Sequence, residues 1–246
     1  MIEIKNLKIA FGSKQVLNGV NLKIETGETL VIIGRSGCGK SVLLKNIIGL
    51  LTPDEGEIIF EGKNLANMTK KELYQVRTKF GFLFQGAALF DSMTVGENVG
   101  LFLKENTNKS KIEIKEVVAE KLELVGLPNT EHMNPADLSG GMKKRVSLAR
   151  SLASNPEYIL YDEPTTGLDP VMSDQIDDLI KELAEKLKVT SIVVTHDIFS
   201  VYDVADKVAM MHEGQIYFHG TPKELVETKD RLIRDFLHRS EKTINN

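Results

Sequence analysis

The 246-residue chain reads as an α/β protein: a mixed-sheet core, an antiparallel β part at the N-terminus, and an inserted α-helical subdomain. Three observations predict this. Apolar and polar residues alternate from Ile2 to Ile9, and a second strand follows from Val16 to Ile24. Short apolar runs followed by helical patterns recur near both ends of the chain, as in parallel sheets. Between them the period changes from two residues to helical spacing. The predicted organisation is one domain over 1–246, with a core from 1–85 and 156–246 and a helical insertion over 86–155.

The elements follow in order. Thr26-Gly27 ends the second strand, and Thr29–Ile33 is an apolar run that stops at Gly34, as a buried parallel strand would. A helix is expected from Lys40 to about Leu50, then a turn at Pro53-Asp54-Glu55-Gly56 and a strand over Glu57–Phe60. Lys70–Thr78 reads as helix and Phe80–Phe84 as strand. In the insertion, Ile114, Val117, Val118, Leu122 and Val125 share a helical face that Gly126 and Pro128 terminate. Ser139–Ala153 is a further helix, and Tyr158–Tyr161 a buried strand. Asp169-Pro170 starts a helix by cap and first-turn proline, with a stripe of Ile176, Leu179, Ile180, Leu183 and Leu187. Ser191–Thr195 and Val208–Met211 are strands, and the tail from Lys223 to Arg239 is expected to be helical.

Composition narrows the function. The 31 basic and 35 acidic residues are interspersed, so no nucleic-acid surface is indicated. The lone Cys38 cannot form an internal disulfide, which points to a reducing cytosol. No secretion signal opens the chain, and no apolar run approaches the ~18 residues that span a bilayer. A soluble chain is expected, with any membrane part supplied by another protein.

Gly34-Arg35-Ser36-Gly37-Cys38-Gly39-Lys40-Ser41 fits G-x-x-x-x-G-K-[ST] between an apolar strand and a helix. Glycines let backbone N–H groups converge on phosphate oxygens, and the helix dipole favours the anion. Lys40 is expected to reach the β and γ phosphates and Ser41 to ligate Mg²⁺. Asp162 and Glu163 end the strand before them. Asp162 is expected to hold Mg²⁺ through water and Glu163 to polarise the attacking water. Leu138-Ser139-Gly140-Gly141-Met142 adds a second glycine-bearing helix start, which predicts nucleotide sandwiched between two subunits. The Asn-Lys-x-Asp guanine reader is absent, because Asn108-Lys109-Ser110-Lys111 lacks the acid.

With these motifs in this order, the chain resembles the ATP-binding cassette (ABC) ATPases over nearly its whole length, which implies a P-loop NTPase fold of that type. The resemblance implies that Ser139, Gly140 and Gly141 contact the γ-phosphate bound to the other subunit of a head-to-tail homodimer; Ser139 also reads as a helix cap. Met142 stands where the family more often has Gln. Gln85 matches the Mg²⁺-sensing glutamine and His196 the histidine at the γ-phosphate. Asp169 matches a loop that crosses the dimer interface, and its reading as a helix cap holds equally. Phe11 matches the aromatic that stacks on adenine, with a core phenylalanine as the alternative.

The wording of Phe84–Val95, LSGGMKKR and YDEPTTGLDP is similar to the ATPases of MCE-type lipid transporters, the Mla group. That likeness implies a permease docking helix at Gln85–Thr94, an MCE-domain lipid-binding partner, and a peripheral position on the cytoplasmic face of a bacterial inner membrane. Two other readings stand beside it: a non-transport ABC ATPase acting mechanically on a protein partner, and an importer or exporter ATPase for another substrate.

Overall fold

The computed structural model describes residues 1–244, with side chains through His238. In chain order the strands are β1 (Ile2–Phe11), β2 (Lys14–Ile24), β3 (Thr29–Gly34), β4 (Glu55–Phe60), β5 (Lys63–Asn64), β6 (Phe80–Leu83), β7 (Tyr158–Asp162), β8 (Thr190–Thr195), β9 (Lys207–His212) and β10 (Gln215–Gly220). The helices are α1 (Lys40–Ile47), α2 (Lys70–Thr78), α3 (Val95–Asn106), α4 (Lys111–Leu124), α5 (Gly140–Leu152), α6 (Pro170–Leu187), α7 (Ile198–Val204), α8 (Pro222–Glu227) and α9 (Arg231–Ile244).

Two sheets form. One is antiparallel, in the order β2-β1-β4-β5; the other is mixed, in the order β10-β9-β3-β8-β7-β6. β3 runs parallel to β8 and β9, and β7 parallel to β6 and β8, while β10 returns antiparallel to β9. The mixed sheet with an antiparallel N-terminal part agrees with the sequence reading, and α3, α4 and α5 all lie between β6 and β7.

The pleat of the mixed sheet divides the core. Leu30, Ile32, Leu160, Ile192 and Val194 face the antiparallel sheet and α1, in one cluster with Ile2, Leu17 and Leu43. Val31, Ile33, Ile159, Tyr161 and Val193 face the other way and pack with residues of the helical segment, α6 and α7. Both faces of β3 are covered, so its uninterrupted apolar run is what its position requires.

Four elements were not anticipated, one of them the two-residue strand β5. α3 starts at a capping box, Thr94 with Glu97, and α7 at the Asp197 side chain. β10 follows a two-residue turn, Glu213-Gly214, with both φ values positive (47° and 75°). The tail expected to be helical over Lys223–Arg239 is so, in two pieces, α8 and α9. Asp230 Oδ1 accepts from the Leu232 and Ile233 N–H groups (2.9 and 3.1 Å), so a fresh helix start displaces continuation through Thr228. Among the described residues, no helix is long and apolar enough to cross a membrane.

Candidate nucleotide-binding and catalytic site

The site gathers at the C-terminal ends of β3, β7 and β8. β3 ends in the glycine-rich loop, and a Cβ on Gly34 would lie 2.6 Å from the Met211 carbonyl, so only glycine fits the approach to β9. Gly39 caps α1 with φ 106°, a conformation that favours glycine, and no side chain caps the α1 N–H groups. Those N–H groups and the helix dipole are available to an anion.

Lys40 is buried, 6% exposed, and its ammonium donates to the Gly34 carbonyl at 2.8 Å and the Arg35 carbonyl at 3.4 Å. It lies 3.6 Å from Glu163 Oε1. Ser41 Oγ donates to Asp162 Oδ1 at 2.8 Å, so the helix start and the end of β7 meet through a hydroxyl and a carboxylate. Burial pushes the Asp162 carboxyl up, opposed by the Ser41 hydrogen bond.

Glu163 leaves β7 in the left-handed region at φ 52°, and its N–H donates to the Val194 carbonyl of β8 at 2.8 Å. That turn aims the carboxylate at His196, whose Nδ1 is 2.7 Å from Glu163 Oε2; Thr166 Oγ1 donates to the same oxygen at 3.2 Å. Burial alone would raise the Glu163 carboxyl. The hydrogen bond from His196 and the charges of His196 and Lys40 outweigh it and hold the group below the usual glutamate value. The same bond raises His196. An ionised carboxylate only accepts, so Nδ1 carries the hydrogen in this pair.

The donor set fits nucleotide and Mg²⁺. The uncapped α1 N-terminus and the Lys40 ammonium suit phosphate. Ser41 and Asp162 supply two oxygens, and no group of three or more His, Cys, Asp or Glu able to hold a metal exists among the described residues. A hard ion that retains water and takes phosphate oxygens suits such a sparse set.

The remaining predicted residues are spread over β1, the glycine-rich loop, the segment after β6, and the starts of α5 and α6. Phe11 is 51% exposed at the β1–β2 turn, which rules out the core alternative. Arg35, Ser36 and Gly37 are exposed, and burial raises the thiol of partly covered Cys38. Gln85 follows β6, and its carbonyl accepts from the Lys144 ammonium. Ser139 caps α5 by accepting from Met142 N at 3.2 Å, and Gly140 is exposed. A Cβ on Gly141 would collide with Met172 Cε. Asp169 caps α6, accepting from Met172 N at 3.0 Å, so the starts of α5 and α6 adjoin. Ser139–Gly141 make no hydrogen bond to Lys40, Glu163 or His196 within the chain.

Three contributors escaped the sequence reading. Thr166 fixes Glu163, and Lys144 grips Gln85 and Glu163. Buried Asn98 organises the segment after Gln85: its Nδ2 donates to the carbonyls of Phe90, Met93 and Thr94 (3.1, 3.1 and 3.0 Å) and its Oδ1 accepts from Phe90 N at 2.8 Å. The Thr94-x-x-Glu97 start of α3 was the signal for that arrangement. Beside it a cavity of about 810 Å³ is lined by Tyr74, Phe82, Phe84, Ala88, Phe90 and Arg150, among others. Phe84 and Phe90 are 38% and 49% exposed on its edge.

Comparison with known proteins agrees with this geometry. The family described as ABC transporter matches residues 17–166. A Mycobacterium leprae protein named probable ribonucleotide transport ATP-binding protein is 42% identical over 96% of this chain and 68% of its own length. The intermembrane phospholipid transport system ATP-binding protein MlaF of Haemophilus influenzae is 40% identical over 96% of this chain and 90% of its own. A solved ATP-binding cassette, a dimer in a post-hydrolysis state bound to ADP and Pi, superposes with a TM-score of 0.81 at 34% identity, covering 90% of this chain and 99% of that one. The matched span runs from β2 through the phosphate loop and the serine-glycine start of α5 to Thr166 beside the half-buried Glu163, and on that ground the chain belongs to the ABC transporter family.

Proposed function

We propose that this chain is the ATP-hydrolysing subunit of a transporter that moves phospholipid or another lipid across a bacterial envelope. The observation that carries the reading is near-full-length similarity, at 40% identity, to a protein named for intermembrane phospholipid transport. The chain would act as a homodimer on the cytoplasmic face of the inner membrane. Its partners would be a permease and an MCE-domain lipid-binding protein.

In this reading the α1 N-terminus and Lys40 bind the phosphates, while Phe11 stacks on the adenine. Ser41 and Asp162, with Gln85, hold Mg²⁺, which supplies charge neutralisation at the phosphates. Glu163 is ionised at neutral pH because His196, Lys40 and Thr166 stabilise its carboxylate. It takes the proton of the attacking water as the new P–O bond forms and the bond to ADP breaks. Ser139, Gly140 and Gly141 complete the site of the opposite subunit, with Asp169 at the interface. The division into a core over 1–85 and 156–246 and a helical unit over 86–155 lets the second unit carry Ser139 toward or away from that site. A permease helix in the aromatic-edged groove at Phe84–Phe90 would feel this motion.

The name of the Mycobacterium leprae relative favours a second reading, ribonucleotide cargo. Affinity capture of tagged chain from native membranes, with mass spectrometry of proteins and lipids, separates the possibilities. A polytopic permease with an MCE-domain protein and bound phospholipid is the expected result. A permease without lipid or MCE partner would favour another cargo, and a soluble partner alone would move the function to the mechanical class.

A further inference from the structure

We propose that Lys144 is a positioning residue for hydrolysis: from within α5 its ammonium holds the main chain at both Gln85 and Glu163, so these two turns follow the helix that begins at Gly140. The inference rests on the reading of Glu163 as the group that activates water.

Lysine in a helix is ordinarily solvated, yet Lys144 is 5% exposed. It lies one turn beyond buried Gly141 and one turn before buried Leu148, on the face of α5 turned into the protein. Withdrawing an ammonium from water is costly unless acceptors replace it. The acceptors here are main-chain carbonyls: that of Gln85, and that of Glu163 at 3.3 Å. Burial pulls the amine below the ordinary lysine value, while the charges of Asp162 and Glu163 oppose that.

Both gripped turns have an unusual backbone. Glu163 sits at φ 52°, and two residues beyond Gln85 the successive alanines Ala87 and Ala88 have φ values of 59° and 51°. Such conformations persist where surrounding contacts over-determine them. α5 supplies those contacts: Arg150 donates to the Ala87 and Ala88 carbonyls at 3.1 and 2.7 Å, and Lys144 donates to Gln85 and Glu163. Lys144 alone reaches from α5 to both turns. A displacement of α5 therefore pulls on the backbone that aims the Glu163 carboxylate.

A merely structural lysine and a positioning lysine predict different results. Replacing Lys144 by an apolar side chain of similar length removes the cost of a buried charge but leaves the Gln85 and Glu163 carbonyls without their donor, so some loss of stability is expected in either case. In the full-length chain purified with its membrane complex, Lys144→Met is expected to melt somewhat lower, to stay folded at the assay temperature, and to keep KM for ATP within about twofold. Its kcat is expected to fall ~10- to 100-fold, the scale of a misplaced reacting group. Lys144→Arg, which retains charge and donors, is expected to restore most of the turnover. Wild-type kcat in Lys144→Met would overturn the inference, as would joint loss of the folded state, nucleotide binding and turnover. Failure of a folded Lys144→Arg to recover turnover would overturn it too. Glu163→Gln serves as the control. Normal turnover there would show that the reading of the site had failed; a stalled Glu163→Gln beside an unaffected Lys144→Met would remove only the role of Lys144.

Discussion

α1 and α5 both begin beside a glycine that follows a loop, and both carry a motif fit for phosphate, but their first turns differ. At α1 the cap is Gly39, no side chain occupies the N–H groups, and the first residue is buried Lys40. β7 and β8 bring Asp162, Glu163 and His196 against it within the same chain. At α5 the cap is Ser139, whose hydroxyl already accepts from Met142 N, and Gly140 is exposed. Neither the Lys40 ammonium nor the Asp162 and Glu163 carboxylates bond there. One helix start is a nearly complete site. The other is an open surface, which under the proposed function becomes a site only against a second copy.

The largest effect should come from the complete end. Lys40→Ala removes the cation that joins the glycine loop to Glu163. Two charge-assisted hydrogen bonds to phosphate are lost, so ATP affinity should fall by roughly 100-fold or more, with hydrolysis abolished. Equilibrium binding of a fluorescent ATP analogue measures this. Unchanged affinity would break the comparison at its first term.

The open end gives a sharper test. A Cβ on Gly140 meets only Leu168 Cδ2 at 3.4 Å, an ordinary contact, and an acid in the first turn of a helix is favourable by about 0.3–1 kcal/mol. Gly140→Asp should therefore leave the melting temperature equal or slightly raised and single-chain ATP binding intact. The added carboxylate would repel phosphate carried by the partner. ATP-dependent dimerisation, followed by light scattering, should disappear, and turnover should fall ~10- to 100-fold, the scale for removing a preorganised anion-stabilising group. Normal dimerisation with normal turnover would mean that this helix start does not face nucleotide.

The complete end was legible in the sequence because its chemistry is local: loop, lysine and serine are contiguous, and Asp162-Glu163 follows an apolar strand. The parallel strands of the mixed sheet were legible for the same reason, since burial on both faces writes itself as an apolar run. The features that escaped were long-range contacts made by residues with ordinary local readings. Lys144 looks like a solvated helix lysine, and only its spacing from Gly141 and Leu148 marks it as inward-facing. Thr166 looks like a loop threonine, and its value lies in bonding Glu163. The break in the C-terminal helix was missed because the periodicity continues across Thr228, whereas Asp230 decides locally by capping the start of α9. β10 is partly covered on alternate positions, and its apolar stretch is only Ile216-Tyr217-Phe218.

The smallest effect on turnover concerns the connection between the two ends. α6 begins beside α5, and α7 follows His196; they are tied by Ser200 Oγ donating to Asp177 Oδ2 at 2.7 Å. Asp177 is 3% exposed, its Oδ1 has no hydrogen-bond partner, and burial pushes its carboxyl up to about 7, with Asp197, Asp203 and Asp174 adding to the shift. The folded chain thus retains a proton that the unfolded chain releases near pH 4. The stability contribution is full below that pH and is lost as pH rises to about 7, by at most about 1.4 kcal/mol per pH unit. Asp177→Asn removes the ionisation and keeps an acceptor for Ser200. The variant should lose less stability than the native chain between pH 4 and 7, and should exceed it at pH 8 by about 2–4 kcal/mol in chemical denaturation. Its turnover at neutral pH should stay within about twofold, since neither helix start is touched. Parallel stability curves for the two proteins would show that Asp177 is ionised in the fold. A large fall in turnover would show that the α6–α7 tie itself sets how His196 meets Glu163, making the closed end depend on the helix that adjoins the open one.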